Sequence, residues 1–172
     1  MKHNPRLLLR LAQGFEDDDN VRVVVISEGI GVDWLRQQAN DIGLSNLLTF
    51  PYQSFEQLPM VLGTGDVLLA VLEDEAGVFS VPSKVLSYFC AGRPLLIAVP
   101  PQNLVSKMVV EQDAGIVVNP SDLDGFVGAA RALYASAETR ESFGRHGREY
   151  AEATFAIDNI ASEFESVFGR IE

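Results

Sequence analysis

Short apolar runs alternate along this chain with longer segments whose apolar residues recur at helical spacing. The runs at 22–26, 47–50, 66–72, 94–99 and 115–118 are rich in Val, Leu and Ile. The central two lack polar alternation, which marks strands buried on both faces. A helix is predicted over 1–15, with Asn4 as cap, Pro5 in its first position and Leu7, Leu8 and Leu11 as its buried stripe. A second runs over 32–42 and stops at Gly43, and the Ser54–Gln57 spacing matches a capping box for a short third. Further helices are predicted near 102–112, over 122–134 behind an Asp122 cap, and over 137–154 with a bend at Gly144 or Gly147. The last, about 157–169, carries a stripe of Ile157, Ile160, Ala161, Phe164, Val167 and Phe168. Alternating strands and helices predict an α/β chain: a Rossmann-like, doubly wound parallel sheet of about five strands with helices on both faces.

One segment organises the rest. Between the strands at 66–72 and 94–99 lie an acidic loop and a helix expected to start at Pro82, end at Gly92 and be kept from resuming by Pro94. Val85, Leu86, Phe89 and Cys90 are expected to pack this helix on the sheet. Its start falls at the carboxyl end of a strand, where open parallel sheets bind ligands. The amides of Ser83, Lys84 and Val85 are expected to point outward there, with the Lys84 ammonium beside them, as an anion site. An ordinary polar first turn has the same residues. The turn Ser27-Glu28-Gly29-Ile30-Gly31 after the first strand lacks the full dinucleotide fingerprint and reads as a tight turn at the cleft mouth.

Composition narrows the function classes. The 172 residues suit one domain, and an apolar fraction of 47% fills a core. A net charge of −11 argues against nucleic acid, whose phosphates need a basic surface. The single Cys90 excludes an intrachain disulfide, fits a reducing compartment and reads as a small buried hydrophobe. His3 and His146 lie far apart with no acidic or thiol cluster at ligand spacing, so no metal and no cofactor are expected. No run approaches a membrane span, and the first residues are polar, unlike a secretory signal; the expectation is a cytoplasmic protein.

Three groups of residues carry a resemblance: Val81-Pro82-Ser83-Lys84 with Tyr88 and Ala91-Gly92-Arg93-Pro94; Ala114 to Val118; and Gly147-Arg148 with Tyr150, Ala151 and Phe155. Over almost the whole chain the pattern resembles the C-terminal half of family 4 glycosyltransferases, the bacterial surface-polysaccharide enzymes above all. The resemblance implies one half of a GT-B architecture: a donor-binding domain spanning 1–172. The acceptor domain would precede it, and the helix at 157–172 would face that domain. It implies transfer of a glycosyl group from a nucleoside-diphosphate sugar, retaining and metal-independent, in polysaccharide or glycoconjugate assembly. The whole enzyme would be cytoplasmic or peripheral at the inner membrane, touching lipid only through the other domain. The fragment alone is expected to be inactive, with self-association through the last helix as an alternative way to cover its apolar stripe.

By the same resemblance, Ser83, Lys84 and the amides around Pro82 and Val85 meet the diphosphate, and Lys2 is a second cation or a solvated terminal lysine. The loop at Tyr52 and Gln53 meets the nucleobase, or Tyr52 packs on a neighbouring loop. The family's two glutamates, eight positions apart, fall here on Phe79 and Ser87. Ser87 can still bond a ribose hydroxyl; Phe79 cannot act as a carboxylate, and Glu73, Asp74 or Glu75 could supply one or be solvated. No residue stands out as a general base. A nucleotide-sugar epimerase half and a non-catalytic interaction domain of the same fold remain as alternative readings. The resembled domain also has a central first strand that this chain lacks. The expected remedy is direct closure, with 22–26 moving about one strand spacing, ~4.8 Å, to pair with 66–72; the alternative is a strand from another molecule or from a preceding segment filling the gap.

Overall fold

The structure, a computed structural model, describes residues 5–72 and 82–168, apart from the side chains of Glu163 and Val167. Its elements are α1 (Pro5–Gln13), β1 (Val23–Ile26), α2 (Ile30–Asp41), β2 (Leu47–Phe50), α3 (Leu58–Thr64), β3 (Leu68–Val71), α4 (Lys84–Cys90), β4 (Leu95–Ala98), α5 (Leu104–Glu111), β5 (Gly115–Val118), α6 (Leu123–Ala135), α7 (Ala137–Thr154) and α8 (Ile157–Phe168). The five expected strands are present. Every pairing is parallel: β1 with β2 from Val23 opposite Leu47, β3 with β4 from Leu68 opposite Leu95, and β4 with β5 from Leu95 opposite Gly115.

The strands form two sheets, not one. Among the described residues no ladder joins β1 to β3, so the expected direct closure does not occur. The packing of α1 explains why. Leu7 and Ala12 are fully buried, Leu11 nearly so, and they share one core with Val23 and Leu47 on one side and Val71, Leu96 and Ala98 on the other. Arg10 bonds Asp124 of α6 at 2.9 Å, and Arg131 of α6 donates to the Gly14 carbonyl at 2.8 Å. Sliding β1 across a strand spacing would pull α1 off α6. The strands therefore stand as a β1-β2 pair and a separate β3-β4-β5 sheet, with no ladder between them among the described residues.

A second core lies on the other face of β3-β4-β5, where Val85 and Phe89 of α4, Val105 and Val109 of α5 and Ala151 of α7 pack on Ala70, Leu95 and Ile97. That sheet is covered on both faces, and all four residues of β4 are buried. In β1, by contrast, Val23 is buried and Val24 is 50% exposed, so its valines alternate instead of being enclosed.

Local signals explain most boundaries. The capping box at Ser54 and Gln57 forms, with the Ser54 amide donating to Gln57 Oε1 at 3.4 Å. Asp122 caps α6 through the Gly125 amide at 2.8 Å. Asn103, not foreseen as a cap, accepts from the Val105 amide at 2.9 Å and starts α5. The Asn4 cap lies outside the described residues. The glycines of α7 serve contact, since α7 is one 18-residue helix with Gly144 and Gly147 buried. A Cβ on Gly144 would stand 2.4 Å from the Gly92 carbonyl oxygen, so only glycine lets α7 approach the end of α4 this closely.

Candidate functional site

The carboxyl ends of β1, β2 and β3 lead into the segments from which the site is built. Ser27 and Glu28 follow β1, Pro51, Tyr52 and Gln53 follow β2, and α4 is reached from β3. The α4 start is held firmly. Val85 and Phe89 are fully buried, each contributing about 1.5–3 kcal/mol. The ring of Tyr150 meets Phe89 edge-on at 5.3 Å, and Tyr88 Oη donates to the Leu69 carbonyl at 3.2 Å. Burial raises the Tyr88 pKa, which keeps it a donor.

The helix begins later than the sequence suggests. Ser83 stands at its N-cap and Lys84 opens it, with Pro82 buried just before. The Val85 amide is not free: it donates to the Pro82 carbonyl at 2.9 Å, and Leu86 donates to Ser83 at 3.2 Å. The tight turn at Pro82 consumes these donors, which corrects the expected role of Val85. Ser83 and Lys84 are exposed, and Ser87 stands one turn further along, partly buried. The packing stripe is narrower than expected. In a seven-residue helix only Val85 and Phe89 reach the core, while Leu86 is over a third exposed and Cys90 is exposed, not buried.

Lys84 reaches solvent, yet the protein around it lowers its pKa by desolvation, and an electrostatic interaction with Tyr52 partly opposes that shift. Both residues follow the carboxyl ends of strands, Tyr52 after β2 and Lys84 after β3. Tyr52 is 66% exposed and does not pack into a core; its hydroxyl lies 3.5 Å from Ser27 Oγ, and its amide donates to Glu28 Oε1 at 3.3 Å. Gln53 is exposed and turns its amide back to the Pro51 carbonyl at 2.8 Å. Phe55, 83% exposed, joins Phe50 and Tyr52 to make an apolar, aromatic rim along 50–55. The sequence reading passed over Phe55 and the Ser27–Tyr52 and Glu28–Tyr52 contacts. The only available signal was an aromatic residue at every second or third position there.

Lys2, Phe79 and the carboxylates of Glu73, Asp74 and Glu75 lie outside the described residues. Among the described residues no group of three or more His, Cys, Asp or Glu could hold a metal, and no helix is long and apolar enough to cross a membrane.

The arrangement offers a cation, a serine hydroxyl one turn apart from another, and an aromatic surface, all at the carboxyl edge of parallel strands. Known proteins share the fold. No protein-family model matches the chain. In sequence it is 28% identical over 150 residues to an Escherichia coli (strain K12) protein assigned as the colanic acid biosynthesis glycosyl transferase WcaI. The match covers 86% of this chain and 35% of that relative, so the chain spans about a third of the relative's length. In structure it superposes on S. aureus TarM, crystallised with UDP, at a TM-score of 0.76 and 16% identity, over 98% of this chain and 33% of that one. Sucrose-phosphate synthase of Thermosynechococcus elongatus gives 0.71 and 16%, over 95% and 42%. WaaG, a glycosyltransferase of lipopolysaccharide biosynthesis, gives 0.66 and 17%, over 86% and 38%. The chain has a Rossmann-like fold of the kind found in GT-B domains, and in sequence it is similar to part of a glycosyl transferase of colanic acid biosynthesis.

Proposed function

We propose that this chain is the donor-binding half of a glycosyltransferase and holds a nucleoside-diphosphate sugar at the carboxyl edge of its sheet. The observation that carries this reading is the placement of an exposed aromatic, Tyr52, after β2 and an exposed cation, Lys84, after β3, both at the carboxyl ends of parallel strands. Its support comes from the relation to WcaI and from the UDP in the TarM crystal. Lys84 and the Ser83 hydroxyl would hold the diphosphate, with Pro82 and Val85 fixing the turn that presents them. Ser87 would bond a ribose hydroxyl, and Tyr52, Gln53 and the rim at 50–55 would lie along the base. Lys2 would add a second cation.

In the reaction, the bond from the anomeric carbon to the diphosphate oxygen breaks, one to an acceptor oxygen forms, and the proton of the acceptor hydroxyl passes to the departing diphosphate. The diphosphate leaves with the electron pair, and Lys84 offsets the charge that grows there without a metal. The proposed outcome is retention. The acceptor and the remaining groups would come from another domain, toward which α8 presents Ile157, Phe164 and Phe168, all exposed. We place the enzyme in polysaccharide or glycoconjugate assembly on the cytoplasmic side. Calorimetric titration with UDP, GDP and their sugars tests the reading. Saturable binding of one nucleotide without turnover by this chain alone is expected; absence of binding by every nucleotide overturns it.

A further inference from the structure

A cleft of about 430 Å³ opens where the chain enters β3 and β4, at the amino edge of the sheet, opposite the edge that carries Lys84. Arg93, Arg140, Arg145 and Arg148 line it, with Asp66 and Glu141. Four of the chain's 13 lysines and arginines thus meet in one concavity of a protein whose net charge is −11. Such a background repels anions only over the Debye length, about 10 Å at 0.1 M salt. Within the cleft the local excess of cations decides.

Two of these guanidinium groups are held by neutral partners. Arg93 donates to the Gly63 carbonyl at 2.7 Å, and Arg140 donates to the carbonyls of Leu133 and Tyr134 at 2.6 and 2.9 Å. Neither forms a salt bridge among the described residues, so each keeps its charge while its orientation is set. Arg145 reaches Glu149 only at 4.0 Å, and Arg148 is paired with Glu152 at 2.7 Å. The floor is stiff, because the Gly144 backbone lies directly on Gly92. Oriented, incompletely neutralised guanidinium forks suit phosphate oxygens, which accept paired N–H donors. The volume falls in the range of small-ligand sites, about 300–1,000 Å³.

We infer that this cleft binds a phosphate-bearing ligand, a pyrophosphate or phosphate monoester group held by Arg93, Arg140 and Arg145. It goes beyond the donor site and does not depend on it. The test uses the full chain in a Lys84→Ala background, so that the carboxyl-edge cation contributes nothing. Pyrophosphate is titrated calorimetrically at low salt. Saturable binding is expected, weakened about tenfold or more by Arg93→Gln with Arg145→Gln, the scale of lost charged hydrogen bonds. Glu141→Gln, which removes a carboxylate without removing a packing residue, should tighten binding several-fold. Thermal melting checks that each variant is folded. In parallel, anionic phospholipid vesicles are compared with neutral ones in cosedimentation. Arginine-dependent capture without pyrophosphate binding assigns the phosphate to a lipid headgroup; pyrophosphate binding without capture assigns it to a soluble ligand. Binding indifferent to both sets of substitutions, or no binding in either arm, overturns the inference.

Discussion

Lys84→Ala is the sharpest perturbation of the proposed donor site. The substitution removes the ammonium at the first turn of α4 and leaves the buried anchors Val85 and Phe89 untouched, so the fold should survive. A hydrogen bond to a charged group contributes about 1.5–3 kcal/mol, or roughly 10–150-fold in Kd. Lys84 reaches solvent, where screening weakens its hold, so about tenfold is the expected loss. Titration with UDP at neutral pH reads it directly. The pH dependence adds an independent check. Desolvation holds the Lys84 pKa below that of an ordinary lysine, so the free protein loses this proton earlier as pH rises. A bound diphosphate favours the protonated form. UDP affinity should therefore fall as pH rises through that lowered pKa, and the parent's alkaline limb should be absent from the variant. If Lys84→Ala bound UDP as tightly as the parent, with the same alkaline limb, the assignment of Lys84 to the diphosphate would be wrong.

Three further outcomes concern the framework. Asn46→Ala removes bonds from Nδ2 to the Ala12 and Phe15 carbonyls at 2.8 and 3.0 Å. It also removes a buried Oδ1 that has no partner among the described residues, so the net cost in urea unfolding should be about 1–3 kcal/mol, and an unchanged midpoint would contradict it. Gly144→Ala drives a Cβ to 2.4 Å from the Gly92 carbonyl and should destabilise by about 1–3 kcal/mol, read as a lower melting temperature; a variant as stable as the parent would show that α7 can move away freely. Phe164 and Phe168 stack with centroids 6.4 Å apart, and Phe164 is 61% exposed, so the chain should self-associate with rising concentration and Phe164→Ser with Phe168→Ser should abolish it. Sedimentation of a parent that stays monomeric throughout would refute that.

Period and punctuation carried the fold. The runs at 47–50 and 115–118 became β2 and β5 without a shift, and Asp122 and Gly43 ended or began helices where their chemistry demands it. Where the reading failed, the cause was tertiary. Cys90 has the right spacing for a packed face, but α4 is too short to bury more than one narrow stripe. Gly144 and Gly147 look like breakers in isolation; only the partner surface of Gly92 and Phe89 makes them contact residues. Asn46 gave no signal at all, because its two acceptors sit over thirty residues away in sequence. At the site, Lys84 and Tyr52 could be singled out but not joined. How the segments after β2 and β3 lie relative to one another is set by tertiary packing, which no local pattern encodes.

The interval between the two sheets has a consequence for how the chain comes apart. Residues 5–50 and 68–154 each hold a contiguous run of strands and helices, and no backbone ladder ties one run to the other among the described residues. Cohesion across that seam comes from side chains, chiefly α1 lying on α6 with Leu7 and Leu11 inserted. A seam made of apolar contact opens at lower free energy than a ladder enclosed on both faces, so the first run behaves as a separate cooperative unit. Amides of Val24 to Ile26 should then exchange with solvent through a partial opening that leaves those of Leu96 to Ala98 protected. The proposed nucleotide site straddles this seam, with Tyr52 supplied beyond the first run's last strand and Lys84 by the second. A ligand that touches both would act as a clasp, slowing exchange in β1 although it contacts no residue of that strand.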